Sequence, residues 1–135
     1  MKEPRDLTRS WIQKAESDLA ACALSLGAGQ ALDAACFHAQ QAAEKYLKAY
    51  LICKDIEFPF VHNLEKLVEL CSEGDTAFQE LLETAAALTP YAVELRYADD
   101  FWPSPDTAAA AHKMALRVKD FVLARLPAAD GTGSG

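Results

Sequence analysis

Apolar residues recur at intervals of three and four along most of the chain, which is the spacing of one face of an α-helix. The first stripe consists of Leu7, Trp11, Ala15, Leu19, Cys22 and Leu26. Asp6 or Thr8 is expected to cap the start of this helix, and Gly27 with Gly29 to end it. The pattern therefore predicts a long amphipathic helix at the beginning of the chain.

A second helix is predicted from about Leu32 to Lys54, and it carries two apolar stripes instead of one. The first stripe is Ala35, Ala39, Ala42, Tyr46 and Ala49, and the second is Cys36, Ala43, Leu47 and Leu51. Together they cover about half of the helix circumference, which is more than a surface helix usually buries. This helix is therefore either central to the core or shared with another subunit.

The rest of the chain predicts three more helices. After a connector at residues 56–61, Asn63 caps a third helix that ends at Gly74. A fourth helix follows and is interrupted at Thr89-Pro90, where we expect a kink or a restart that carries residues 91–97. Ser104 and Pro105 open the last helix. Because no segment alternates with period two, the predicted fold is all-α, an up-down antiparallel bundle of about five helices.

Composition fits one small domain. The chain has 135 residues and a formal net charge of -7, which argues against a broad basic face that grips long nucleic acid. We expect a helical domain at residues 1–127 and a flexible glycine-rich tail at residues 128–135. The four cysteines form no CxxC pair, so reduced core thiols are expected and a zinc site is not. No leader or membrane span is recognisable, which predicts a cytoplasmic protein, and no cofactor is predicted.

Several segments resemble the HEPN domain family. Residues 37–49 (FHAQQAAEKYLKA) resemble the second helix of that family, and residues 62–67 (HNLEKL) resemble the start of its third helix. Residues 88–91 (LTPY), leading to residues 96–100 (RYADD), are similar to a third family pattern. The opening spacing of Trp11, Ala15, Asp18 and Leu19 also fits. The resemblance covers roughly residues 7–126.

The resemblance implies a helical bundle that forms homodimers and associates with nucleotides or RNA. Family members are often encoded beside a minimal nucleotidyltransferase in toxin–antitoxin or related two-component systems. Catalytic members are metal-independent RNases with an R-x4-6-H motif near the dimer cleft. Here no histidine follows Arg96 within that window, and the next one is His112. Since imidazole transfers protons near neutral pH, the catalytic role is the part of the resemblance that this chain does not match.

Candidate ligand-binding residues cluster in two segments. His38, Gln41, Lys45 and Lys48 share one side of the second helix and could line an anion pocket. The alternative is a solvated face on which Glu44 pairs with Lys48. Arg96 could bind phosphate through its planar fork of donors, or it could instead form a salt bridge with Glu94, Asp99 or Asp100.

The remaining candidates each have a structural alternative. Tyr97 could stack a base together with Phe101 and Trp102, or these rings could form a hydrophobic plug or a dimer contact. His62 could bind a ligand or simply pack at a helix start. Adjacent Asp99 and Asp100 suit solvated charges better than a Mg²⁺ site, so no metal is predicted.

Three functions remain open. The first is a homodimeric nucleotide- or RNA-binding module that acts with a nucleotidyltransferase partner in a toxin–antitoxin-like system. The second is a toxin RNase that uses Arg96 without the usual histidine. The third is a non-catalytic structural interaction protein. Whether the chain is an enzyme is left open by the missing histidine.

Overall fold

The computed structural model describes residues 3–127, and the predicted tail at residues 128–135 lies outside them. The α-helices are, in chain order, α1 (Pro4–Ala28), α2 (Leu32–Cys53), α3 (Leu64–Gly74), α4 (Leu82–Leu88) and α5 (Pro105–Leu123). Short 3₁₀ segments occupy Thr76–Leu81 and Thr89–Tyr91. No strand occurs within residues 3–127. The predicted all-α bundle of about five helices is confirmed.

The first two helices form an antiparallel hairpin with a tight turn. Gly29 ends α1 with a φ of 66°, in the left-handed region where glycine meets no Cβ penalty. Ala31 follows with a φ of 53°, so the short reversal requires a strained non-glycine residue as well. The predicted caps Asp6 and Thr8 were wrong, because α1 already begins at Pro4, upstream of both. Gly27 lies inside the helix.

Helix α2 runs through the centre of the bundle, with α1, α3, α4 and α5 packed around it. All members of its two predicted apolar stripes are buried. Their alanines leave room for the neighbouring backbones, and Tyr46, Leu47, Tyr50 and Leu51 fill the wider spaces. The broad apolar surface of α2 is therefore accounted for within one chain.

The helix boundaries in the middle of the chain follow local chemistry. Asn63 caps α3, its side-chain oxygen accepting a hydrogen bond from the Lys66 amide at 3.1 Å. At Gly74 a Cβ would come within 3.0 Å of the Tyr50 hydroxyl, so close packing requires glycine where α3 ends. Ser104 caps α5 in the same way as Asn63, accepting from the Thr107 amide at 3.1 Å. These three predicted boundaries are confirmed.

The predicted helical restart after Pro90 was wrong. Residues 92–97 form successive turns instead, and Pro90 has no amide hydrogen to continue a helical ladder. The Pro90 carbonyl accepts from the Leu95 amide at 2.8 Å, a wider spacing than that of an α-helix. This irregular stretch carries Arg96 and Tyr97 on a turn and not on a helix.

The cysteines are free thiols, and Cys22, Cys36 and Cys71 are buried. Burial raises the pKa of Cys22 and of Cys36 to about 11, with small further contributions from neighbouring negative charge at Cys36. These thiols therefore behave as small apolar core residues. Among the helices of the described residues, none is both long and apolar enough to cross a membrane.

Candidate ligand-binding site

One side of α2 carries polar side chains along more than two turns, although the helix lies in the middle of the bundle. We call this surface the polar face of α2, and it consists of His38, Gln40, Gln41, Glu44, Lys45 and Lys48. Gln40, Glu44 and Lys48 are buried, and the other three are half-buried. The face is therefore not freely solvated, although the pairing of Glu44 with Lys48 that the alternative predicted is confirmed.

The first half of this face is organised by Asp18, which projects from α1 and is buried. Its carboxylate accepts hydrogen bonds from the Lys45 ammonium at 2.5 Å and from His38 Nδ1 at 2.8 Å. Because a carboxylate only accepts, Nδ1 carries the hydrogen in this contact and Nε2 is left for other partners. Two predicted site residues, His38 and Lys45, thus meet on one negative charge.

The second half is organised by Glu44, which accepts three hydrogen bonds. The donors are Lys48 Nζ at 2.9 Å, His62 Nδ1 at 2.9 Å and Gln40 Nε2 at 3.1 Å. Burial works to raise the pKa of Glu44, but the hydrogen bonds from Lys48, His62 and Gln40 and the charge of Lys48 outweigh it, so the pKa is lowered. Glu44 is therefore a buried permanent anion at neutral pH.

Lys48 does not lie where a ligand could reach it from solvent. Its side chain is 7% exposed, and its ammonium group lies 5.6 Å from the centre of the Trp11 ring and 5.7 Å from that of Phe58. An ammonium over aromatic faces is stabilised by the ring quadrupole. Lys48 is therefore a buried residue of the polar face, whereas His38, Gln41 and Lys45 are its more accessible members.

The two glutamines connect this cluster to the connector between α2 and α3. Gln40 Nε2 also donates to the His62 carbonyl oxygen at 3.0 Å, and Gln41 Nε2 donates to Gln40 Oε1 at 2.8 Å. The connector is thereby held to α2 through both the side chain and the backbone of His62. Gln41 is the half-buried member of the pair and borders the more accessible part of the face.

Arg96 approaches the N-terminal half of α2 from the irregular turn after Pro90. Its guanidinium carbon lies 4.7 Å from the centre of the Phe37 ring and 5.6 Å from that of Tyr97. No carboxylate of residues 3–127 forms a salt bridge with it, so the predicted pairing with Glu94, Asp99 or Asp100 does not occur in that part of the chain. Phe37 also contacts His38, with ring centres 5.4 Å apart. Arg96 is therefore exposed beside Phe37 and Tyr97, without a carboxylate partner among residues 3–127.

The aromatic residues around Arg96 divide into anchored and open rings. Phe101 stacks on Tyr91 with ring centres 5.7 Å apart, and burial raises the pKa of Tyr91, with a smaller effect from Cys36 of α2. Tyr97 and Trp102 are 78% and 77% exposed. Phe101 is therefore the hydrophobic plug that was one of the two alternatives, while Tyr97 and Trp102 present open ring surface.

A single hydroxyl joins the elements that bring His62 and Arg96 to α2. Thr89 Oγ1 accepts from the Leu64 amide at 3.0 Å and donates to the Ala85 carbonyl at 2.8 Å. Leu64 begins α3 two residues after His62, and Thr89 begins the segment that leads to Arg96. The two approaches to the polar face are thus fixed to each other.

Sequence reasoning missed the roles of Asp18 and His62. The available signal was an acid at apolar spacing, since Asp18 lies three residues after Ala15 and four before Cys22, both of which are buried. Glu44 likewise precedes buried Leu47 by three residues. An acid in such a position must be paired, because an isolated buried charge is very costly. His62 had no comparable signal in its neighbours.

The other candidate chemistry finds little support in the described part of the chain. It contains no group of three His, Cys, Asp or Glu side chains that could hold a metal ion. A shallow depression along α5 is lined by residues that include Lys113, Arg117 and Arg125, and none of the predicted site residues borders it. The polar face of α2 with Arg96 is therefore the stronger candidate site.

Comparisons with known proteins agree on one family. The model of the HEPN domain matches residues 8–126. The crystal structure of TT1696 from Thermus thermophilus is similar with a TM-score of 0.78 and 28% identity, over 88% of this chain and 98% of that one. The crystal structure of ST0689, described as an archaeal HEPN homologue, is similar with a TM-score of 0.72 and 25% identity, over 94% of this chain and 100% of that one. No curated protein matches the sequence.

Proposed function

Because the chain belongs to the HEPN domain family, we propose that it is a homodimeric nucleotide- or RNA-binding module. We further propose that it acts beside a nucleotidyltransferase partner in a toxin–antitoxin-like two-component system. The observation that carries the binding role is Arg96, a guanidinium between two aromatic rings with no carboxylate partner among the described residues. The partner and the two-component system rest on what the family resemblance implies.

The charge arrangement supports Arg96 as the cationic residue of the proposed site. Lys45 is paired with Asp18 and Lys48 with Glu44, so each of these ammonium groups is neutralised locally. At a net charge of -7 the protein as a whole repels phosphate. Binding therefore depends on a local uncompensated cation, and a guanidinium binds phosphate through paired hydrogen bonds.

The neighbouring side chains suit the other parts of a nucleotide. Tyr97 and Trp102 expose ring surface on which a base can stack. His38 and Gln41 border the same end of the polar face and offer further hydrogen-bonding groups, with His38 Nε2 left open by the Asp18 contact. In this proposal Lys45 and Lys48 contribute by holding Asp18 and Glu44 and not by touching the phosphate.

The experiment is a titration of wild type and variants with ATP and with a short fluorescein-labelled single-stranded RNA. We expect Arg96→Ala to weaken binding by about 1–3 kcal/mol, the loss of a charge-assisted hydrogen bond. Arg96→Lys should recover only part, since lysine lacks the planar fork. Arg117→Ala on α5 is the matched control, because it removes the same charge from an exposed position. Unchanged affinity in a folded Arg96→Ala variant would refute the proposed site, and a loss in Arg117→Ala would place binding at α5.

Dimerisation is proposed through the segment that carries Arg96. Val93 on this segment is exposed, and a second copy of the chain would shield it while leaving the rings of Tyr97 and Trp102 to the ligand. The breadth of the apolar surface of α2 no longer supports a dimer, since it is buried within one chain. Light scattering at micromolar concentration should give about twice 14.7 kDa. A monomer throughout that range would exclude a site built by two subunits.

The proposed partner is tested separately from the ligand. The protein is purified from its native host and the proteins bound to it are identified by mass spectrometry. A nucleotidyltransferase among them, in stoichiometric amount, would support the two-component system. Its absence would leave the binding module as a function without that partner.

RNA cleavage is a second candidate function because carboxylates orient two imidazoles, that of His38 on α2 and that of His62 beside it. General acid–base catalysis typically supplies ~10²–10⁴ in rate. Since no histidine follows Arg96 in the window used by catalytic members, we expect little cleavage of total RNA by the isolated protein. Cleavage at the rate of a catalytic member, lost in Arg96→Ala, would establish the enzyme.

A further inference from the structure

His62 is the most exposed member of the charged clusters on α2, yet its position is fixed at several points. Its side chain is 56% exposed, Nδ1 is bound by Glu44, and its carbonyl oxygen is bound by Gln40. The following residue, Asn63, caps α3 and fixes the backbone on that side. The ring is therefore rigidly presented, and Nε2 is the nitrogen that remains for a partner outside the cluster.

Charged groups lie near His62 on three elements of the fold. The charged groups that face it are Glu44 and Lys48 on α2, of which Lys48 is committed to the other oxygen of Glu44. Glu65 lies in the first turn of α3, and the segment that starts at Thr89 brings Arg96 against Phe37 of α2. The carboxylate of Glu44 on Nδ1 fixes the orientation of the ring, and with it that of Nε2.

We propose that His62 is a second ligand-binding residue of the Arg96 site, whose imidazolium donates Nε2–H to a phosphate oxygen. This inference rests on the proposed function and adds the class of ligand. Phe37, beneath Arg96, and Glu44, beneath His62, are seven residues apart on α2, which is roughly 10 Å of helix. In this proposal Arg96 and His62 are separated by about that length, which a single phosphate does not span. The ligand is therefore one with successive phosphates, as in an RNA strand or a nucleoside triphosphate.

Ligand binding then takes up a proton. Histidine is the side-chain type that changes charge between about pH 5 and 8, so in this proposal pH acts on binding through His62 and His38. An anion binds the imidazolium form more tightly than the neutral imidazole. Affinity must accordingly be higher at pH 6 than at pH 8, and the dependence must shrink when either histidine is replaced.

The experiment compares the affinity of the wild type for a short oligouridylate at pH 6 and pH 8. Phosphodiesters and uracil do not titrate in this range, so the dependence reports on the protein. We expect wild type to bind about tenfold more tightly at pH 6, which corresponds to about 1.4 kcal/mol shared between His62 and His38. For His62→Gln the ratio should fall to about threefold, the remainder coming from His38. His112→Gln on α5 is the matched control and should keep the tenfold ratio.

A further variant separates ligand contact from a merely structural role. His62→Lys supplies a charge that persists at pH 8, so we expect its affinity at pH 8 to exceed that of His62→Gln severalfold. If His62 only holds the connector to α2, both variants will behave alike, and the inference is overturned. ATP, titrated at pH 6, shows whether a nucleoside triphosphate also depends on His62.

The outcomes distinguish this inference from the function on which it rests. An unchanged pH ratio in folded His62→Gln, together with a loss of binding in Arg96→Ala, overturns the role of His62 and leaves the proposed function intact. Failure of wild type to bind either RNA or ATP at pH 6 overturns both. The melting temperature of every variant is recorded. If His62→Gln does not fold, His62→Asn takes its place.

Discussion

The two carboxylate clusters on α2 have the same composition but differ in what they hold together. In each, a carboxylate is bound by a histidine Nδ1 and a lysine ammonium. Asp18 joins two long packed helices, and its Lys45 partner has a side chain that is 22% exposed. Glu44 joins α2 to an irregular connector, and Lys48 is almost fully buried beneath it. The same set of groups therefore serves once as a helix-to-helix tether and once as the support of an exposed imidazole.

The largest expected difference between the clusters concerns their lysines. Lys48→Met leaves Glu44 buried without its ammonium partner, and breaking a buried pair in this way costs about 3–5 kcal/mol. Lys45→Met should cost less, roughly 1–2 kcal/mol, because Asp18 keeps His38 as a partner and Lys45 is partly exposed. Urea unfolding of both variants measures the difference. Equal losses of stability would mean that burial of the cation does not distinguish the two clusters.

Acid should weaken the Glu44 cluster in a defined pH range. The folded-state pKa of Glu44 lies below its ordinary value of 4.5, because hydrogen bonds and the charge of Lys48 outweigh burial. Its contribution to stability is therefore fully present above about pH 4.5 and is lost as pH falls through the folded-state pKa. The difference in free energy of unfolding between wild type and Glu44→Gln should shrink over that range. A difference that stays constant with pH would contradict the ionised buried carboxylate.

The smallest expected effect tests how the connector is fixed. Asn63→Ala should lower stability by about 1 kcal/mol, the usual cost of a lost helix cap. Ser104→Ala removes a similar cap from α5, far along the chain from both clusters, and should cost about as much. Only Asn63→Ala should also reduce the pH dependence of RNA binding, because it loosens the backbone beside His62. A comparable change in Ser104→Ala would remove the link between cap and ligand.

Periodicity was sufficient to predict the helices and the core, because both depend on residues three and four apart. The stripe from Ala15 to Cys22 and both stripes of α2 are buried as expected. The helical restart after Pro90 was wrong, because the pattern of apolar residues continues through a segment whose backbone cannot. The start of α1 was placed too late, since plausible cap residues follow the proline that begins it.

The candidate site was only partly predictable, for a physical reason. His38 and Lys45 were placed on one side of α2 from their spacing, and they do meet on one carboxylate. That carboxylate is twenty residues from His38 and belongs to another helix, so no local pattern could identify it. Arg96 was assigned from the resemblance. Its lack of a carboxylate partner among residues 3–127 depends on how the turn after Pro90 folds. That the site binds a ligand stays a prediction.

The Thr89 hydroxyl accepts a hydrogen bond from the Leu64 amide and donates one to the Ala85 carbonyl. It thereby connects the segment that carries His62 with the segment that carries Arg96. In the proposed site, a ligand that moves the Arg96 segment towards α2 would also move the start of α3, and with it His62. Contacts between the ligand and one of these segments would therefore restrict the motion of the other segment before that segment reaches the ligand. The two segments should therefore respond together to a bound RNA strand. Thr89→Val should uncouple them while leaving each segment in place.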